Sequence, residues 1–421
     1  VMQLRPYQTQ LVDGVRDLWA PGTRAVVMQL GTGGGKTHTA ATLLAREPGR
    51  VVFFAHLDSL VSDTAARLRA AGVPCGIVAP WARPEPEHRV QVCSLGTLHA
   101  RGSRPPAELV VLDECHRSEA PTVRAILGAY PEARLLGLTA TPQRGDGRPL
   151  GATWGAMVQG PTVRELTAMG ALVPARMVVP ADEGARGDLL DVLPPIGSRM
   201  LVFAESRAEG AWTATRLRSA GRRVAELYGE TARDEREQIR EDLAHGTLDA
   251  VVNVNVCTEG WDLPAVDCVA LDAPFGTLGR YLQAIGRGLR PYPGKTHCTV
   301  LDLRGAVYLH LPPDVPHRWS LTGEAVSVAS RGLSLSRCAA CWAVWEGRGA
   351  CPRCGTERAV MPFVPRRMAD DARMVALESM DPGRRRALYR AKLVRIGMER
   401  RRMTRERAER WADAELAKRL A

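Results

Sequence analysis

Gly31-Thr32-Gly33-Gly34-Gly35-Lys36-Thr37 follows the apolar run Ala25-Val26-Val27-Met28-Gln29-Leu30 and precedes a helix-forming segment at 39–46. Glycines let successive backbone N–H groups converge on phosphate oxygens at a helix N-terminus. A lysine adds a point charge for the outer phosphates, and a threonine hydroxyl can hold Mg²⁺. Lys36 and Thr37 fill those two positions, with Thr32, Gly33, Gly34 and Gly35 as the cradle. The common phosphate-loop pattern has a glycine where this chain has Leu30, but its TGxGKT core is intact. A glycine-rich turn that merely ends a strand is the competing reading; the Lys-Thr pair and the strand–loop–helix context weigh against it.

Outward from the loop, strand-like runs at 51–55, 90–94, 109–112 and 135–138 alternate with segments long enough for crossover helices. That alternation predicts a parallel α/β sheet. Breakers crowd 171–198, with Pro174, Pro180, Gly184, Gly187, Pro194, Pro195 and Gly197 marking a joint. A second α/β series follows at 200–204, 224–227, 250–256, 268–271 and 299–303, and Ser206-Arg207-Ala208-Glu209 opens its first helix as a capping box. The expected organisation is a first domain over 1–172, a linker over 173–198 and a second domain over 199–310. A connector with a cysteine module (311–360) and a basic helical tail (361–421) complete it.

At 421 residues the chain is long enough for two or more domains, and its 45% apolar and 24% charged composition excludes a wholly disordered or collagen-like polymer. No apolar run reaches the roughly 18 residues of a membrane span, and the start, Val1-Met2-Gln3-Leu4-Arg5-Pro6, lacks a signal core. A soluble, cytoplasmic protein is expected. The net charge of +11 is concentrated at one end: residues 366–421 hold 17 Lys+Arg against 9 Asp+Glu. A basic end suits a polyanionic partner, although a solvated helical face looks the same. Only Lys36, Lys295, Lys392 and Lys418 are lysines among 57 basic residues.

Asp113-Glu114-Cys115-His116 ends the apolar run Leu109-Val110-Val111-Leu112. Beside a phosphate loop, an acid at a strand end can hold Mg²⁺ through water, and the next carboxylate can orient or deprotonate an attacking water. Asp113 and Glu114 are the candidates for those roles. An isolated pair of this kind is more often a solvated turn; the phosphate loop reverses that balance.

With these motifs the chain resembles a superfamily 2 helicase of the DExH-box type, similar to the compact helicases of phages and prophages. Arg5-Pro6-Tyr7-Gln8 resembles the adenine-recognition segment, 31–37 motif I, and 113–116 motif II. Leu138-Thr139-Ala140-Thr141-Pro142, followed by Arg144, resembles motif III. Asn255-Val256-Cys257-Thr258-Glu259-Gly260-Trp261-Asp262 resembles motif V, and Tyr281-Leu282-Gln283-Ala284-Ile285-Gly286-Arg287-Gly288-Leu289-Arg290-Pro291 motif VI. The match runs in order over roughly residues 1–305.

The resemblance implies two tandem RecA-like domains with ATP and Mg²⁺ between them. Arg5, Gln8, Gly260 and Asp262 would contact the nucleotide. Gln283 would position water or the γ-phosphate, and Arg287 and Arg290, three apart on one helical face, would stabilise the transferring phosphoryl group. Nucleic acid, DNA more than RNA, would lie on loops that include His56, Ser94, Thr97, Thr139, Thr141, Arg207 and Thr258. The segment 56–63 departs from the family's pattern at Leu57 and Asp63. A helicase or translocase is the leading reading. A duplex-DNA translocase subunit of a restriction or repair complex and a non-enzymatic binding or annealing protein are the rivals; the intact Lys36, Asp113, Glu114, Arg287 and Arg290 speak against the last.

Cys338-Ala339-Ala340-Cys341 and Cys351-Pro352-Arg353-Cys354-Gly355 supply four thiolates in two knuckles, a tetrahedral donor set that predicts a structural Zn²⁺ ribbon. Two disulfides are the alternative. Trp342 and Trp345 should pack over the knuckles rather than stack on bases. In the tail, Ala408, Trp411, Ala412, Leu416 and Leu420 form an apolar stripe at helical spacing. Arg384-Arg385-Arg386 and Arg400-Arg401-Arg402 are candidate phosphate contacts or a solvated face.

Overall fold

A computed structural model describes residues 4–55, 58–102, 104–144, 150–179, 187–254, 256–257, 263–317, 319–322, 335–338, 343–346, 349–356 and 360–362, and residues 404, 406, 407, 409–411 and 413 farther on. The chain divides into two units, residues 1–364 and 365–421. In the first unit the strands β1 (Ala25–Gln29), β2 (Val51–Ala55), β3 (Cys75–Val78), β4 (Val90–Ser94), β5 (Leu109–Asp113), β6 (Arg134–Thr139) and β7 (Ala156–Gln159) form one sheet. Their order is β3-β4-β2-β5-β6-β1-β7, with every neighbour parallel. Helices α1 (Pro6–Trp19), α2 (Lys36–Arg46), α3 (Asp58–Ala70), α4 (Leu95–Arg101), α5 (Pro121–Gly128) and α6 (Val163–Ala168) accompany it. β2, Val-Val-Phe-Phe-Ala, is buried at every residue, as a strand covered on both faces must be.

The register decides where the chemistry gathers. Gln29 lies opposite Thr139, and Asp113 opposite Leu138. The phosphate loop, the carboxylate pair and the start of 139–142 therefore leave the sheet at one edge, the place where open parallel sheets bind ligands.

A second sheet follows, built from β8 (Ala175–Val178), β9 (Met200–Ala204), β10 (Val224–Leu227), β11 (Ala250–Asn253), β12 (Cys268–Asp272) and β13 (Cys298–Asp302), all parallel in the order β10-β11-β9-β12-β13-β8. Its helices are α7 (Arg207–Ser219), α8 (Arg233–His245), α9 (Leu278–Gly286) and α10 (Ala306–His310). Ser206 caps α7, its Oγ accepting the Glu209 N–H at 3.2 Å.

Two expectations need correcting. The stretch 173–198, read as a linker for its prolines and glycines, contains β8, which pairs with β13 inside the second sheet. Val173 also hydrogen-bonds to the Leu289 carbonyl at 2.8 Å, so breakers here bound a strand rather than free it. The cysteine module, expected as a unit of its own over 311–360, is joined to the same sheet. Its strands β14 (Leu335–Cys338), β15 (Ala343–Glu346) and β16 (Val360–Pro362) extend that sheet antiparallel, with Ala343 opposite Val178 and Val344 opposite Met177.

In the second unit the described residues 406, 407, 409–411 and 413 are helical, and Arg410 pairs with Glu406 at 3.5 Å. The basic triplets 384–386 and 400–402 and most of the apolar stripe lie outside the described residues, Trp411 excepted.

Candidate functional site

α1 delivers two side chains beneath the phosphate loop. The Tyr7 hydroxyl donates to the Gly34 carbonyl at 2.9 Å and Gln8 Nε2 donates to the same oxygen at 3.2 Å. Gln8 Oε1 accepts the backbone N–H of Arg5 at 2.9 Å. Gln8, expected to read a purine, also braces the loop and its own helix start.

The glycines are required by what surrounds them. Gly33 and Gly35 have φ of +87° and +91°, a left-handed backbone that L side chains avoid. A Cβ on Gly33 would lie 2.7 Å from Leu172 Cδ2 and 3.4 Å from Arg290 Cγ, and one on Gly35 would lie 2.5 Å from Gln8 Nε2. At Gly34 it would meet Leu30 Cγ at 2.8 Å. Leu30, the departure from the common pattern, is a fully buried core residue packed under the loop.

Glu114 sits at the centre. It adopts a left-handed φ of 50°, and its backbone N–H donates to Asp113 Oδ1 at 3.0 Å. Lys36 Nζ is 3.5 Å from Glu114 Oε1, His116 Nδ1 is 3.3 Å from Oε2, and Gln283 Nε2 of α9 donates to Oε2 at 3.3 Å. Burial opposes the charge, but Lys36, His116 and Arg287 outweigh it and hold the carboxyl well below the usual carboxylate range. His116 also contacts Thr139 Oγ1 at 3.4 Å, tying 113–116 to 139–142.

The second sheet supplies the opposite wall. Lys36, Thr37, Asp113, Glu114, Arg287 and Arg290 line one cleft of about 500 Å³ with Thr32, Gly33, Gly34, Gly35, Arg5 and Gln8. A Cβ on Gly286 would lie 2.5 Å from Thr32 Cβ, so α9 docks directly on the phosphate loop. The helix stops at Gly286, however, with Arg287 as its cap. Arg287 and Arg290 therefore do not share a helical face; Gly288, between them, packs so closely on Cys298 that a Cβ there would come 2.3 Å from its Sγ, and both arginines still reach the cleft. Burial, with Arg67 adding repulsion, lowers the Arg290 pKa to about 10, which leaves it charged at neutral pH.

Sequence reading missed part of the wall. Leu60, Asp63, Thr64 and Arg67 of α3 line the cleft, as do Tyr7, Ala171 and Pro264. Their spacing of three and four marked a helix face, but nothing in the sequence aimed that face at the loop.

The residues assigned to strand contacts divide differently. Ser94, Thr97, Thr139 and Thr141 are buried, from 0% to 6% exposed. Ser94 Oγ caps α4 by accepting the Thr97 N–H at 3.4 Å. Thr139 Oγ1 donates to the Thr141 carbonyl and accepts the Thr141 N–H, both at 3.1 Å. The Ser94 and Thr139 hydroxyls thus hold turns, where direct strand contact was expected. Arg207 is exposed, paired with Glu230 and stacked over the Tyr228 ring at 4.9 Å. His56, Thr258, Gly260 and Asp262 lie outside the described residues.

Comparison with known proteins agrees with this architecture. Residues 1–144 match the family described as type III restriction enzyme, res subunit, and residues 187–291 the helicase conserved C-terminal domain. Together, and in this order, the two matches cover more than half of the chain. The chain belongs to the superfamily 2 helicases. Helicases of this superfamily hydrolyse ATP and act on nucleic acid. A 51.5 kDa protein of a Lactococcus phage is 24% identical to this helicase over 77% of its chain and 76% of the phage protein. A Saccharomyces cerevisiae protein named as an ATP-dependent helicase, IRC3, is 24% identical over 72% of this chain but only 52% of its own length, so the helicase spans about half of that relative. A fragment described as an HsdR subunit of a type I restriction enzyme from Vibrio vulnificus shares the fold, with a TM-score of 0.58 at 19% identity over 74% of this chain and 66% of the fragment.

The cysteine module brings Cys338, Cys351 and Cys354 together, their sulfurs all within 4.8 Å of one another. Tetrahedral thiolates at about 2.3 Å from Zn²⁺ stand about 3.8 Å apart, and Cys338 Sγ to Cys354 Sγ is 3.6 Å. The Arg353 N–H reaches Cys351 Sγ at 3.4 Å, and Gly355, at φ +70°, closes the knuckle by donating to the Cys351 carbonyl at 2.8 Å. Trp345 packs on this cluster; Cys341 and Trp342 lie outside the described residues. Among the described residues no two cysteines are joined by a disulfide, and no helix is long and apolar enough to cross a membrane.

Proposed function

We propose that the protein is a DNA motor, in which ATP hydrolysis in the cleft drives alternate closing and opening of the two sheets and so moves a strand past them. One observation carries it: Glu114 is gripped by Lys36 from the phosphate-loop side and by Gln283 from the second sheet, with Arg290 packed over Gly33. Both walls meet on the acid that would orient the attacking water, so the competent site exists only when the lobes are closed. ATP supplies the phosphoryl group. Lys36, Arg287 and Arg290 would neutralise charge on the phosphates, while Thr37 and Asp113 would hold Mg²⁺.

DNA is preferred over RNA because residues 1–144 match the family described as type III restriction enzyme, res subunit. His56, Arg207 and Thr258 remain the proposed strand contacts; exposed Arg207 is already held flat against Tyr228. A cytoplasmic setting suits a chain that buries thiols such as Cys75, Cys93 and Cys115. Phosphate release stimulated at least several-fold more by DNA than by RNA, with displacement of one strand from a forked duplex, is expected. Stimulation by RNA alone would overturn the substrate; stimulation by blunt duplex without displacement would favour a duplex translocase.

Cys338, Cys341, Cys351 and Cys354 would hold structural Zn²⁺ at the edge of the second sheet. About one zinc per chain is expected, with loss of the metal and a lowered melting temperature on Cys351→Ser. A fully folded, metal-free wild type would reject the site.

A further inference from the structure

Tyr292-Pro293-Gly294-Lys295 forms a tight turn just past the arginines, with the Lys295 N–H donating to the Tyr292 carbonyl at 2.9 Å. Proline presets the second position and Gly294, at φ +77°, takes the left-handed third. The turn sends the Lys295 side chain back toward the segment it has just left. There Nζ donates to the Arg290 carbonyl at 2.9 Å, to the Pro264 carbonyl at 3.1 Å and to the Val266 carbonyl. An ammonium has three donors, and all three are used.

The acceptors are not incidental. Arg290 and Pro264 both line the phosphate cleft, on separate segments that enter it from before β12 and after α9. Arg290 leaves the helix before it reaches the cleft, so no helical hydrogen bond fixes its backbone. A planar guanidinium cannot meet three carbonyls from one atom, whereas an ammonium can. In a chain with four lysines among 57 basic residues, this position carries one. Burial lowers the Lys295 pKa to about 8, the expected effect of drawing an ammonium from water into a cage of carbonyls.

We propose that Lys295 is a positioning residue for Arg290: by clamping the carbonyls of Pro264, Val266 and Arg290 it holds the Arg290 side chain over the phosphate loop. This rests on the assignment of the cleft as the ATP site. Lys295→Met leaves three carbonyls without their donor and lets the Arg290 backbone shift, a displacement that costs about 10- to 100-fold in rate when it misplaces a charge by an ångström.

The test is a double-variant cycle in the full chain, read by single-turnover ATP hydrolysis with DNA, with melting curves for each variant. Lys295→Met should slow hydrolysis by about 10- to 100-fold with little change in the ATP concentration for half-maximal rate. Lys295→Arg, a second variant that keeps the charge, should lose part of that rate. In an Arg290→Ala background neither should slow hydrolysis further, since the residue being positioned is gone. Losses that multiply in the double variant, or a Lys295→Met rate equal to wild type, would overturn the role of Lys295. Wild-type hydrolysis by Arg290→Ala alone would instead overturn the cleft assignment beneath it.

Discussion

Lys36→Ala and Glu114→Gln are each expected to cut DNA-stimulated ATP turnover by about three orders of magnitude, within the range for losing a positioned base or a charge-stabilising group. The reason is local. Glu114 stays ionised although buried because Lys36, His116 and Arg287 face it, and its geometry is set by the 3.5 Å contact to Lys36 and the 3.3 Å contacts to His116 and Gln283. Glutamine keeps the shape and loses the charge; alanine at 36 leaves the carboxylate but removes the outer-phosphate cation. Neither change touches the cores of the two sheets, so the melting temperature should move little. Steady-state phosphate release beside a melting curve checks both, and turnover near wild type in either variant would move the protein toward the binding or annealing class.

The second large effect comes from the opposite wall. Arg287→Ala should lower turnover by about 10³- to 10⁵-fold, the scale on which an arginine donated to a phosphoryl group acts. Gly286→Val should reach a similar loss by another route, because its Cβ would need to occupy space 2.5 Å from Thr32 Cβ. The helix then cannot seat on the loop, although the first sheet and its phosphate loop are intact. ATP binding should survive in Gly286→Val, measured by fluorescence of a labelled nucleotide, while hydrolysis is lost. Normal turnover in that variant would show that the two lobes need not meet for chemistry.

Much of this was legible in the residues. The central strands 51–55 and 200–204 announced themselves as unbroken apolar runs, and 90–94 and 224–227, each with a polar residue inside, also fall where the pattern put them. β3, β7 and β8 did not, because each is four residues long and either partly polar or hemmed by breakers; pairing in the sheet, not local preference, makes them strands. The loop and the carboxylates were readable because their chemistry is local. The second half of the site was less so. That Gln8 braces Gly34, that the Thr139 hydroxyl holds the Thr141 backbone in its turn, and that Arg290 lies past the end of its helix are facts of packing. A threonine that could touch a phosphate and one that holds a bend read alike until a neighbour is placed beside it.

A structure with a non-hydrolysable ATP analogue and Mg²⁺ bears most directly on the shared cleft. The expected result is a triphosphate with Lys36 on one side and Arg287 and Arg290 on the other, and the metal beside Thr37 and Asp113. A nucleotide held by the loop alone, with both arginines turned to solvent and Gln283 parted from Glu114 by more than a water's width, would contradict it.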